Sequence, residues 1–213
     1  MEIQGIDREL STQNVRGAVM DGKDIKILPA SVWRSFSKEE LKKWMWETGT
    51  YVLPTEELID CLDGLIGQEK TIEIGAGNGW IGRELDIPMT DSYQQQDDEE
   101  TVLIYDLAGQ PRIRYPKDVR KVDAITAVKT FRPHTVLGCY VTHKWRYDTM
   151  SGNNKGIDFQ KMMRYCRRFI LVGNIETHKD NPLMEETHRE IELDGLLTRA
   201  TDETRNRIFI WEK

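Results

Sequence analysis

Thr71-Ile72-Glu73-Ile74-Gly75-Ala76-Gly77-Asn78-Gly79-Trp80-Ile81-Gly82 is the stretch on which the fold turns. A short β-branched run carrying one acid, Thr71–Ile74, ends in Gly75, Gly77 and Gly79, each separated by one residue. A helix-like segment, 80–85, follows at once. Strand, glycine turn and helix start in that order are how α/β proteins hold a nucleotide-like ligand. A turn this tight needs positive φ, which glycine accepts without steric cost. Without Cβ atoms the backbone can also lie against a ligand, with N–H groups of the helix start pointing at it.

Working outward, strand and helix patterns alternate from Lys70 onward. Strand-like segments fall at 71–74, 87–90, 121–122, 135–141 and 169–172. Helical segments between them fall at 80–85, 124–131 and 159–168. This rhythm predicts a largely parallel sheet covered on both faces. After Pro182 the rhythm changes: 190–193 and 207–211 read as two late strands without a crossover helix, an antiparallel closing edge. Residues 92–118 are ambiguous, and 101–107 leans to helix because an acidic run, Asp97-Asp98-Glu99-Glu100, precedes it and Gly109 follows. Lys161, Arg164, Arg167 and Arg168 fall near helical spacing and read as a solvated helix face.

Upstream, Ser37-Lys38-Glu39-Glu40 is a capping box opening a helix that should stop at Gly49. Thr55 caps a second helix with Leu58, Ile59, Leu62 and Leu65 as its buried stripe, ended by Gly67. Residues 1–36 are polar and mixed, an irregular or partly mobile arm. The expected division is an N-terminal helical segment, 1–50, and an α/β domain, 51–213.

Bulk composition narrows the class. The chain has 213 residues, 38% hydrophobic and 31% charged, which suits a globular protein with a full-sized core. No apolar stretch has membrane-spanning length, and the first residues lack the pattern of a secretory signal. Cys61, Cys139 and Cys166 form neither a disulfide framework nor a zinc motif. A cytoplasmic location is therefore expected. The net charge of −6 disfavours generic nucleic-acid binding, which depends on neutralising phosphates. The four histidines lack metal-ligand spacing, so no metal is expected.

Open parallel sheets bind ligands outside the carboxyl ends of their strands. After the first strand come Gly75, Ala76, Gly77, Asn78 and Gly79. After the second comes Asp91, a carboxylate placed to accept from ribose hydroxyls. After the third comes Asp123, an acid that could accept from an adenine amine. After the fourth come Tyr140 and His143, and after the fifth, His178.

The pattern Glu73-x-Gly75-x-Gly77-x-Gly79 resembles motif I of the class I S-adenosylmethionine-dependent methyltransferases. Asp91 matches that family's ribose acid, and Asp123 followed by Ala124 resembles its adenine-side acid at longer spacing. The resemblance implies a Rossmann-like, doubly wound, seven-stranded, mostly parallel sheet with an antiparallel last strand. It also implies S-adenosylmethionine as cofactor, with Glu73, Gly75, Ala76, Gly77, Asn78, Gly79, Asp91, Asp123 and Tyr140 around it. The resemblance covers roughly residues 50–213 in layout, is specific at 71–91 and suggestive at 119–145, and departs from the family in the long segment between Asp91 and Asp123. The Asn-Pro-Pro-Tyr or Asp-Pro-Pro-Tyr of many nucleic-acid amino-methyltransferases is absent: the fourth strand ends in Tyr140-Val141-Thr142-His143. A small molecule or protein is the expected acceptor rather than a nucleic-acid amino group. His143 is the candidate acceptor-side base, with His178 beside it, since an unperturbed histidine titrates near neutrality. Tyr51 could reach the methionine end of the cofactor or simply pack, and Trp80 could line the pocket or join the core.

Two other readings stay open. Gly77-Asn78-Gly79-Trp80-Ile81-Gly82 also reads as Gly-x-Gly-x-x-Gly, the fingerprint of NAD and FAD oxidoreductases. The fold could also serve as a non-catalytic cofactor-binding or regulatory module.

Overall fold

The computed structural model describes residue 7 and residues 9–213; residues 1–6 and 8 of the expected arm lie outside them. Seven strands form the main sheet: β1 (Thr71–Ile74), β2 (Met89–Asp91), β3 (Val119–Lys121), β4 (Thr135–Cys139), β5 (Arg168–Asn174), β6 (Arg189–Ile191) and β7 (Asn206–Glu212). Their order is β3-β2-β1-β4-β5-β7-β6. β1 to β5 are mutually parallel, while β7 runs antiparallel to both β5 and β6. The architecture is Rossmann-like α/β with an antiparallel last strand, as the rhythm after Pro182 suggested. That strand lies inside the sheet rather than at its edge, which β6 forms.

The period-two alternation of strands separates two cores. Phe169, Leu171, Phe209 and Trp211 join Ile72 and Ile74 on one face, under the helices Ala124–Phe131 and Phe159–Met163. Ile170, Val172, Ile208 and Ile210 point to the other face, against Leu58, Ile59, Leu62 and Ile66 of the helix Glu56–Ile66. Apolar residues on both sides of the central strands are what a covered parallel sheet requires.

The N-terminal segment is not a loose arm. Its described part holds a helix, Gln13–Val19, a tight hairpin pairing Met20–Asp21 with Asp24–Ile25, and the helices Ala30–Trp33 and Lys38–Thr48. Val15, Val19, Trp33, Trp44 and Met45 build a third cluster with Leu53 and Leu197. Trp80 belongs to it: its ring stacks on Trp44 with centroids 6.0 Å apart and planes 13° from parallel. Ser37 forms the expected capping box with Glu40, and Gly49 ends the helix in the left-handed region at φ 66°.

Several boundaries differ from the sequence reading. β4 stops at Cys139 because Tyr140 turns the chain at φ 57°. The helix from Phe159 ends at Met163, so Arg167 and Arg168 do not share a helix face with Lys161. Arg168 instead opens β5 and pairs with Glu69 and Glu212. In the ambiguous stretch, Glu99–Leu107 is a helix with Asp98 as its N-cap, accepting from Thr101 N–H.

Candidate functional site

The sheet order reverses between β1 and β4, and the glycine turn leaves β1 at that point. Gly75, Gly77 and Gly79 all have positive φ, at 61°, 54° and 69°. The turn is tied to the end of β2: Ala76 N–H donates to the Thr90 carbonyl at 3.0 Å, and Gly77 N–H donates to Asp91 Oδ2 at 3.0 Å. Asn78 donates from Nδ2 to the Thr48 carbonyl at 2.9 Å, joining the turn to the N-terminal segment.

A cleft of about 1330 Å³ opens beside this turn, along the carboxyl ends of β1, β2 and β4. Gly75, Asp91, Asp123 and Tyr140 line it. Glu73, Ala76 and Asn78 instead line, with Gly75, a second cavity of about 70 Å³ facing residues 49–52. Gly77 and Gly79 line neither; Ile113 Cδ1 lies only 3.1 Å from where a Gly77 Cβ would stand. Ile113 is itself held by its N–H, which donates to Gln95 Oε1 at 3.0 Å.

Asp91 is the best-anchored acid in the cleft. Besides Gly77, its Oδ1 accepts from Tyr93 N–H at 2.9 Å, and the Tyr115 hydroxyl also bonds to it. Burial nevertheless dominates and holds its carboxyl above the usual value. Asp123 caps the helix Ala124–Phe131, its Oδ1 accepting from Thr126 N–H at 3.0 Å. Burial raises its titration point, but the Thr126 hydroxyl and backbone hydrogen bonds outweigh it, and the carboxyl lies below its usual value.

Glu73 is buried in β1, with Oε2 accepting from Gly82 N–H at 2.9 Å. This explains Gly82: a Cβ there would stand 2.4 Å from Glu73 Oε2. Burial pushes the Glu73 carboxyl up to about 8, against the Gly82 and Cys139 hydrogen bonds.

The candidate bases are placed differently from the sequence reading. Thr142 and Lys144 line the cleft, but His143 does not; it is buried, with Nε2 3.3 Å from Ser151 Oγ. Burial, and then Arg146, hold its ring below the ordinary histidine value. His178 is also buried, with Nδ1 within 3.1 Å of Asn174 N and 3.0 Å of its carbonyl. Burial brings it down to about 4, a neutral packing group against the edge of Tyr140. Neither ring is positioned as an acceptor-side base. Among the described residues, no group of three His, Cys, Asp or Glu side chains could hold a metal ion, and no helix is long and apolar enough to cross a membrane.

The polar machinery of the cleft comes instead from tyrosines and one arginine. Tyr51 stacks on Tyr140 with centroids 5.9 Å apart, and the Arg199 guanidinium lies 4.0 Å from the Tyr51 ring centre. Tyr105, Gln110 and Arg199 also meet the Tyr51 hydroxyl. Burial raises Tyr51, but the Arg199 charge and these hydrogen bonds together bring it below the ordinary phenol value. Tyr105, Gln110, Tyr115 and Arg199 carried no sequence signal. The first three sit in the ambiguous stretch, and Arg199 in the irregular one before β7.

No family model and no curated protein matches the chain. Solved structures do. A protein of Thermoplasma acidophilum shares 16% identity over 72% of this chain and 83% of its own, at a TM-score of 0.35. A candidate RNA methyltransferase, PH1948 of Pyrococcus horikoshii, shares 13% over 78% of this chain and 86% of its own, at 0.39. A candidate caffeoyl-CoA O-methyltransferase of Staphylococcus aureus shares 13% over 84% and 94%, at 0.40. These scores are low, and the fold rests on strand order and register.

Proposed function

We propose that this protein is an S-adenosylmethionine-dependent methyltransferase. The observation that carries the reading is Asp91. It stands at the carboxyl end of β2, fixes the glycine turn through Gly77 N–H, and lines a large cleft where the sheet order reverses. Its carboxylate already accepts from Gly77 and Tyr93 N–H and from the Tyr115 hydroxyl, so a ribose hydroxyl would take over the place of the Tyr115 contact. Gly75 lines the same cleft, its backbone held at positive φ and carrying no Cβ toward it. At about 1330 Å³ the cleft exceeds the roughly 300–1,000 Å³ of ordinary ligand pockets, so a cofactor and an acceptor have room side by side.

When bound, the cofactor supplies an activated methyl group. The chain's task is then to align an acceptor atom with it and exclude water. Asp123 on the same wall is our candidate for the adenine amine. The acceptor is a small molecule or a protein, and the working compartment is the cytoplasm. A doubly wound dinucleotide enzyme has the all-parallel order 3-2-1-4-5-6. Here antiparallel β7 lies between β5 and the edge strand β6, which favours the methyltransferase reading over an NAD or FAD enzyme.

Thermal unfolding tests the proposal. S-adenosylmethionine and its demethylated product, S-adenosylhomocysteine, should raise Tm in proportion to occupancy, and NAD and FAD should not. Stabilisation by NAD or FAD alone would remove the methyltransferase reading. Binding with no transfer to any acceptor class would favour a regulatory module. Asp91→Ala should weaken S-adenosylhomocysteine binding by roughly 1.5–3 kcal/mol, the scale of hydrogen bonds to a charged group. Unchanged calorimetric affinity in that variant would take Asp91 out of the site.

A further inference from the structure

Residues 51–53 and 197–199 run side by side as a short ladder. Leu53 N–H donates to the Leu197 carbonyl and Arg199 N–H to the Tyr51 carbonyl, both at 2.9 Å, with Val52 opposite Thr198. This register delivers Arg199 to the cleft, over the Tyr51 ring. A buried polar frame holds the ladder from behind. Thr198 Oγ1 and Asn174 Nδ2 both donate to Asn206 Oδ1 at 2.9 Å, and Asn206 Nδ2 donates to the Leu196 carbonyl at 2.9 Å. The guanidinium is therefore presented by rigid structure, as a binding group must be.

What one arm of the Arg199 fork lacks is an acceptor. Its Nη1 is buried without a hydrogen-bond partner. None of the ion pairs among the described residues includes Arg199, or Lys144 and Lys161, which line the same cleft. The carboxylates along the wall are engaged elsewhere. Asp91 serves Gly77 and Tyr93, Asp123 serves Thr126, and Asp158 serves Lys161 N–H. A buried guanidinium N–H without a partner is costly, and its planar fork matches a carboxylate or phosphate.

We propose that Arg199 is an anion-binding residue and that the acceptor carries a carboxylate or phosphate group, drawn in by Lys144 and Lys161. The acceptor role rests on the methyl-transfer reading; the anion site does not. The amino-acid end of S-adenosylmethionine offers the same chemistry, so the experiment separates the two sources.

Ligand-observed NMR and calorimetry on the full chain provide the test, with benzoate and phenyl phosphate as anionic probes and benzamide as the neutral control. At saturating S-adenosylhomocysteine, an anionic probe should bind the wild type and bind Arg199→Gln roughly tenfold or more weakly. Benzamide should not distinguish the two proteins, and S-adenosylhomocysteine affinity should be unchanged. If Arg199→Gln does not fold, Arg199→Lys replaces it. That variant keeps the charge but not the fork, and should still lose roughly threefold or more in anion affinity. The proposal is overturned if no anionic probe binds the wild type, or if the variant binds it equally well. It is also overturned if the variant loses S-adenosylhomocysteine affinity while keeping that for 5′-methylthioadenosine, which lacks the amino-acid end. Arg199 would then hold the cofactor. If the wild type binds no S-adenosylhomocysteine but loses anion binding on Arg199→Gln, the anion site stands and the methyl-transfer reading fails.

Discussion

Glu73→Gln is expected to make the folded protein more stable at pH 8 by on the order of 4 kcal/mol, and to change it little at pH 4.5. The cause is the position of Glu73 in the buried strand β1, where burial pushes its carboxyl from 4.5 to about 8. In the unfolded chain that group loses its proton near 4.5. In the folded chain it keeps the proton through neutrality. Its contribution is fully present below the unfolded value and is lost as pH rises toward 8. Glutamine has nearly the same shape, stays neutral, and retains an oxygen for the Gly82 N–H that Glu73 Oε2 now accepts. Urea unfolding of both proteins at several pH values reads the difference directly, and other titrating groups cancel in the comparison. Parallel stability curves across this range would mean that Glu73 is already ionised in the fold.

Gly75→Ala should cost roughly 2–5 kcal/mol. About 1–2 comes from forcing a side chain into the left-handed region at φ 61°, and about 1–3 from overpacking against Val141, 2.5 Å away. For a chain of this size that lowers Tm by on the order of 10 °C. Gly64→Ala provides the opposite sign. Gly64 lies inside the helix Glu56–Ile66, where an added Cβ would meet nothing within 4 Å, and alanine there should stabilise by roughly 0.5–1 kcal/mol. Equal effects of the two substitutions would show that the turn after β1 can relax, contrary to its close packing.

How much of this was legible in the sequence follows from which interactions are local. The capping box at Ser37, the Thr55 cap, the β1 turn and the changed rhythm after Pro182 are signals within a few residues, and each corresponds to an element. Strand ends were less legible, because β4 stops where Tyr140 adopts positive φ, a conformation that tyrosine does not advertise. The basic run at 161–168 looked helical by spacing, yet the chain leaves the helix at Met163 and Arg168 enters the sheet. The histidines stand out by their ordinary titration range, but both rings are buried: burial holds His143 below its usual value and brings His178 down to about 4. Arg199 was invisible for the opposite reason. Its place over Tyr51 depends on a ladder between distant segments and on Asn174 and Asn206 behind it. The N-terminal segment hid its core in the same way, since Trp33 and Trp44 find Trp80 only in three dimensions.

A crystal structure with S-adenosylhomocysteine bound tests the central claim most directly. The ribose should lie within hydrogen-bond distance of Asp91 and the adenine toward Asp123, with free cleft volume remaining beside Tyr51, Tyr140 and Arg199. Density for the ligand elsewhere, or a ribose held without Asp91, would contradict that claim.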